Sequence, residues 1–111
     1  MNLNATPHGN CMIIRIEGRL DGNTSPRLEQ EILRLCEEGH HRLAFEMDAL
    51  DYVSSAGLRV LLLAVKKTRA AGGRVALYGV GPAIREVLEI SGFLSLFPVL
   101  GTKEEALDIL A

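Results

Sequence analysis

Few residues in this chain combine a reactive type with a useful setting. The clearest are two adjacent hydroxyls, Ser54 and Ser55, held between an apolar run and a long stretch of helix-forming residues. A hydroxyl at a helix start can cap free backbone N–H groups. It can also carry a phosphate, because the positive end of the helix dipole favours negative charge. Other candidates are weaker. Asp48 and Asp51 could act as paired carboxylates, but both fall in a short segment that reads as an exposed loop. His40-His41 invites a metal, yet no Cys, Asp or Glu stands at a supporting spacing, and zinc needs three or four convergent ligands. Ser55 has no triad: His8, His40 and His41 all fall in loops, and the serine is outside a G-x-S-x-G elbow. No enzyme is expected. Gly79-Val80-Gly81 lacks a third glycine at position 84, which is Ile84, so only a weak nucleotide-binding reading remains.

Several elements must position the serine pair. Leu43, Phe45 and Met47 alternate with other residues, the pattern of a buried strand. From Ala56 helix formers continue until Gly72-Gly73, which reads as a stop. On a helical wheel, at about 100° per residue, Gly57, Val60, Leu61, Ala64, Val65 and Thr68 share a core face. Arg59 and Lys66 mark the solvated side. Leu62 and Leu63 flank that side and read either as leucines tucked under a loop or as a semi-apolar docking surface.

The rest of the chain supplies the frame. An edge strand near Leu3 to Thr6 is weakly signalled, with His8 in a turn. Cys11 to Glu17 is a strand with Met12, Ile14 and Ile16 on one face. Gly18 to Asn23 reads as a turn-rich loop. Ser25 then serves as N-cap and Pro26 as first residue of a helix with Leu28, Ile32, Leu35 and Cys36 on its buried stripe. Arg74 to Tyr78 is a short strand, and Pro82 opens a helix with Ile84, Val87 and Leu88 inward. Phe97 to Leu100 is a last apolar stretch, and Thr102 with Glu105 makes a capping box for a terminal helix. Strands alternating with helices from position 42 argue for parallel pairing with crossovers, while the first two strands suit an antiparallel connection. The expected fold is α/β: one domain over residues 1–111, with its core at about 11–110 and a mixed sheet with interspersed helices.

Bulk properties narrow the function. A chain of 111 residues holds one core, not two. A net charge of −2 argues against a general nucleic-acid binder. The two cysteines, Cys11 and Cys36, lack CxxC spacing and read as reduced thiols. Neither a signal peptide nor a bilayer-spanning run is visible, so no membrane insertion and a cytoplasmic location are expected. No cofactor or metal is expected.

The run Tyr52-Val53-Ser54-Ser55-Ala56-Gly57-Leu58-Arg59-Val60-Leu61 resembles the signature of the STAS family, the stand-alone anti-sigma-factor antagonists of bacteria. The resemblance extends to Gly18-Arg19-Leu20-Asp21 with Ser25-Pro26-Arg27-Leu28, to Gly72-Gly73-Arg74-Val75, and to Pro82 through Gly92. Glu46 departs from it, standing where the family usually has Asp. The resemblance implies phosphorylation of Ser55, with Ser54 as a competing acceptor. It also implies a GHKL-type serine kinase that doubles as anti-sigma factor, and a metal-dependent serine phosphatase. Unphosphorylated protein would bind the kinase and phosphorylated protein would leave it. The implied contact surface comprises Asp51, Ser54, Ala56 and Gly57 around the acceptor, then Arg59, Leu62 and Leu63 along the helix. Asp21, Gly22, Asn23 and Thr24 would form a second contact loop, and Gly57 would admit a partner's backbone. The alternative is a constitutive STAS scaffold, for example in a transporter complex, with Ser55 as a plain helix cap.

Overall fold

A computed structural model describes all 111 residues. The strands are β1 (Asn2–His8), β2 (Cys11–Leu20), β3 (Arg42–Glu46), β4 (Leu50–Val53), β5 (Arg74–Tyr78) and β6 (Val99–Leu100). The helices are α1 (Ser25–Glu37), α2 (Ser55–Ala70), α3 (Pro82–Ile90) and α4 (Lys103–Leu110), with a 3₁₀ turn at Leu94–Leu96. The sheet runs β1-β2-β3-β5-β6, and β4 pairs separately with the far end of β2. β1 and β2 form an antiparallel hairpin, and every other pairing is parallel. The expected α/β fold with a mixed sheet is therefore the observed one.

The strand alternation read from sequence divides the core. Met12, Ile14, Ile16, Leu43, Phe45, Val75 and Leu77 point to one face, where they bury Leu28, Ile32 and Leu35 of α1 and Leu61, Ala64 and Val65 of α2. Cys11, Ile13, Ala44, Ala76 and Tyr78 face the other way, against Ala106 and Leu110 of α4. The two alanines leave the second face shallow enough for one short helix to cover. Thr102 caps that helix by accepting from the Glu105 N–H at 3.2 Å, as its sequence pattern implies.

Local expectations needed correction at several points. His8 is the last residue of β1, not a turn residue; Gly9-Asn10 makes the turn, with Gly9 at φ +58°. The segment read as a loop from Gly18 is strand as far as Leu20. β2 pairs with β3 as far as Arg15 and with β4 from Gly18; the β2–β4 register shifts between Gly18 and Arg19, where Gly18 takes φ +93°, a conformation that favours glycine. Ser25 is not the N-cap of α1. Thr24 holds that position, and the Ser25 hydroxyl, 3% exposed, donates back to the Asp21 carbonyl at 2.5 Å. Leu50 and Asp51 belong to β4 rather than to a loop, because the end of β2 pairs with Leu50, Tyr52 and Val53 on either side of Asp51, which is the extra residue at the register shift.

Candidate functional site

The C-terminal ends of the parallel strands β2, β3, β4 and β5 gather at one edge of the sheet. Val53 ends β4, and α2 starts two residues later. Ser54 lies between them in extended conformation (φ −92°, ψ 174°), and its side chain accepts from the Gly57 N–H at 3.3 Å. Ser54 is therefore the cap. Ser55 occupies the first helical position and is exposed; its hydroxyl has no hydrogen-bond partner in the protein. The reading of Ser55 as a plain N-cap is thus overturned by one residue, because the chain leaves the strand at Ser54 and only there has the dihedrals of a cap.

The neighbouring loop is built onto the same edge. Leu20 pairs with Val53, and the Ser54 N–H donates to the Leu20 carbonyl at 2.9 Å. Asp21 to Thr24 therefore leaves β2 directly beside the serine pair. This loop is tied to itself. The Asp21 carboxylate accepts from the N–H groups of Asn23 (3.0 Å) and Thr24 (3.1 Å). The Asp21 N–H donates to the Thr24 hydroxyl at 2.9 Å, and that hydroxyl donates to the Arg19 carbonyl at 2.8 Å. Chiefly the Asn23 N–H, then the Thr24 donors and Arg19, hold the Asp21 carboxyl below its ordinary value. Gly22 and Asn23 at the tip are exposed.

Along α2 the wheel separates the faces as expected. Gly57, Val60, Leu61, Ala64, Val65 and Thr68 are buried, and Arg59 and Lys66 are exposed. Leu62 and Leu63 are half-buried and lie outside both buried clusters. Ala56 is half-buried and Asp51 exposed. Gly57 differs from its expected use. A Cβ there would stand 2.8 Å from Leu20 Cγ, 2.9 Å from the Leu20 carbonyl oxygen and 2.9 Å from Val53 Cγ2. Its missing side chain is used inside the domain, to bring α2 against β2 and β4, so a partner's backbone has no access to that space.

Two features of this edge were not legible in the residue types. Arg19 lies over the Tyr52 ring, 4.1 Å from its centroid, and reaches Asp21 Oδ2 at 3.8 Å. Tyr52 is 41% exposed. The pair exists because Arg19 and Tyr52 are register partners across β2 and β4, and only the pairing reveals it. The second is a polar network that joins the middle of β2 to the ends of β3 and β5. The Arg15 guanidinium donates to Glu46 (2.5 Å), Asp48 (3.0 Å) and Glu17 (3.3 Å), and the Tyr78 hydroxyl donates to Glu46 at 3.0 Å. The Arg15 hydrogen bond above all, with Tyr78 adding to it, holds the Glu46 carboxyl below its ordinary value. Burial, then the Glu46 carboxylate, pushes the Tyr78 phenol up. Glu46 thus keeps the carboxylate at this strand end, with partners from two neighbouring strands.

The histidines stand elsewhere. His8 pairs with Cys11 at the start of β2, and His40-His41 precede β3. All three are at the N-terminal edge of the parallel strands, opposite Ser55, so none is placed to activate its hydroxyl. Burial raises both cysteine thiols, Cys11 and Cys36, which suits packing residues. No helix is long and apolar enough to cross a membrane.

Comparison with known proteins agrees with this fold. Residues 2–106 match the STAS domain family. BtrV of Bordetella bronchiseptica, described as a candidate anti-sigma factor antagonist, is 41% identical over 95 residues, covering 86% of this chain and 82% of that protein. An anti-sigma factor antagonist from Mycobacterium paratuberculosis has a similar structure, with TM-score 0.88 and 25% identity over 98% of this chain and 92% of that one. The phosphorylated form of the Bacillus cell fate determinant SpoIIAA shares the fold with TM-score 0.76 and 22% identity, over 99% of this chain and 100% of that one. With a family match over nearly the whole chain and a relative of this identity, the chain belongs to the STAS domain family.

Proposed function

We propose that this chain is an anti-sigma factor antagonist whose binding is switched by phosphorylation of Ser55. In its unphosphorylated form it binds a GHKL-type serine kinase that serves as anti-sigma factor, and a metal-dependent phosphatase resets it. The observation that carries the reading is the division of labour between the two serines. Ser54 caps α2, which leaves the exposed Ser55 hydroxyl without a structural duty at a helix N-terminus. Of the two candidate acceptors, Ser55 is the one whose modification leaves the cap intact. The descriptions of its relatives as anti-sigma factor antagonists support the same reading.

Phosphorylation transfers the γ-phosphoryl group of ATP to Ser55 Oγ; ADP leaves, and the hydroxyl proton passes to a base of the kinase. The product carries about −1.5 to −2 charge. The helix N-terminus tolerates that charge in the free protein. At an interface the phosphate must lose water beside Asp51 and the loop that carries Asp21. A loss of about 4 kcal/mol weakens binding roughly a thousand-fold. The switch therefore acts on the complex and leaves the fold alone.

The test is calorimetric titration of the partner kinase with wild type, Ser55→Ala and Ser55→Asp. Ser55→Ala should bind like wild type, and Ser55→Asp should bind much more weakly while unfolding at a near-native temperature. Equal affinity of all three proteins rejects the switch and favours constitutive binding.

A further inference from the structure

We propose that Arg59 is the intramolecular counter-ion of phosphorylated Ser55, so that modification withdraws a basic contact from the partner surface as well as adding negative charge. The inference rests on the reading of Ser55 as phosphoacceptor. Ser55 and Arg59 are i and i+4 on α2, neighbours on the helix surface with Cβ atoms about 5–6 Å apart. Side chains on a helix lean toward its N-terminus, so the Arg59 guanidinium can reach back over the turn that begins at Ser55. An anion N-terminal to a cation at this spacing is the favourable order.

Two observations show that the position lacks an anion. The first turn of α2 contains no acidic residue. Arg59 is exposed, and no carboxylate lies within salt-bridge distance of it, whereas Arg19, the cation on the neighbouring strand, is held by Asp21. Other charged groups on adjoining elements do not substitute for it. Asp51 on β4 and Asp21 beside β2 are acidic, and Arg19 is occupied by Tyr52 and Asp21. On α3, which packs on β4, Arg85 is followed by Glu86. Arg59 is the cation that a phosphate on Ser55 meets within its own helix. Before phosphorylation its guanidinium is free for the partner; afterwards it is turned onto its own phosphate.

The experiment uses full-length protein with phosphoserine encoded directly at position 55, so no kinase is needed. The second ionisation of the phosphate is followed by phosphorus-31 NMR titration at fixed ionic strength. A guanidinium at this spacing should lower that pKa by roughly 0.3 unit relative to Arg59→Ala. Arg59→Lys should restore part of the shift, and Lys66→Ala, about three turns further on, should change nothing. Identical titrations of wild type and Arg59→Ala would overturn the proposal, and so would an equal effect of Lys66→Ala. Failure of the phosphoswitch reading looks different: the kinase leaves Ser55 unmodified while the encoded phosphoserine still titrates low.

Discussion

Gly57 sits against Leu20 with no room for a side chain: a Cβ would lie 2.8 Å from Leu20 Cγ and 2.9 Å from its carbonyl oxygen. That carbonyl is also the acceptor for the Ser54 N–H. The start of α2 is thus set by contact with the end of β2. Gly57→Ala gains about 1 kcal/mol of helix preference but must displace a bonded backbone carbonyl, and overpacking costs about 1–3 kcal/mol. Overpacking should win, with a net loss of up to about 2 kcal/mol in urea unfolding. A stabilised Gly57→Ala protein would show that the contact is softer than described.

The two serines should separate cleanly by stability. Ser54→Ala removes the cap of α2 and should cost about 1 kcal/mol. The 3.3 Å length of that hydrogen bond places the loss toward the smaller end of the range. Ser55→Ala removes an exposed hydroxyl without a partner and should stay within about 0.5 kcal/mol of wild type. Chemical denaturation of the two single mutants checks both values.

Leu62 and Leu63 are half-exposed beside Arg59 and are not part of either buried cluster. If the partner docks along α2 from Ser55, Leu63→Ser should weaken kinase binding about tenfold or more, in the range of an interface anchor. Its unfolding midpoint should move little. Calorimetric titration paired with thermal unfolding separates the two effects; unchanged affinity would remove this face from the interface.

The Glu46 network sets a pH dependence. The folded-state pKa of Glu46 is depressed by Arg15 and Tyr78 from an ordinary value near 4.5. Its stabilisation is therefore present above about pH 4.5 and is lost as pH falls through the depressed folded value. Tyr78 acts at the other end. Its raised pKa favours the folded state below the ordinary value near 10, and that contribution is lost as pH climbs above it. Urea midpoints between pH 3 and 7 should decline at the acid end, and Glu46→Gln should decline less steeply. Parallel curves for the two proteins would contradict the assignment.

What the residues determined on their own were patterns that depend on near neighbours in the chain. Alternation in Met12–Ile16 and Leu43–Met47 fixed which side chains face α1 and α2. Helical spacing from Gly57 to Thr68 fixed the buried face of α2 and left Arg59 and Lys66 in solvent, and the serine motif marked the site. Tertiary structure decided whatever depends on which strand lies beside which. Asp51 became strand because β2 runs past β3 and offers an edge to β4. Leu20, brought beside Val53 by that pairing, claimed the space at Gly57 and the N–H of Ser54, so the cap fell to Ser54 and Ser55 was left free. Arg19 met Tyr52 through the same register. A hydrogen bond between residues 34 positions apart leaves no local period in a sequence, because its energy is realised only after the chain has closed the loop between them.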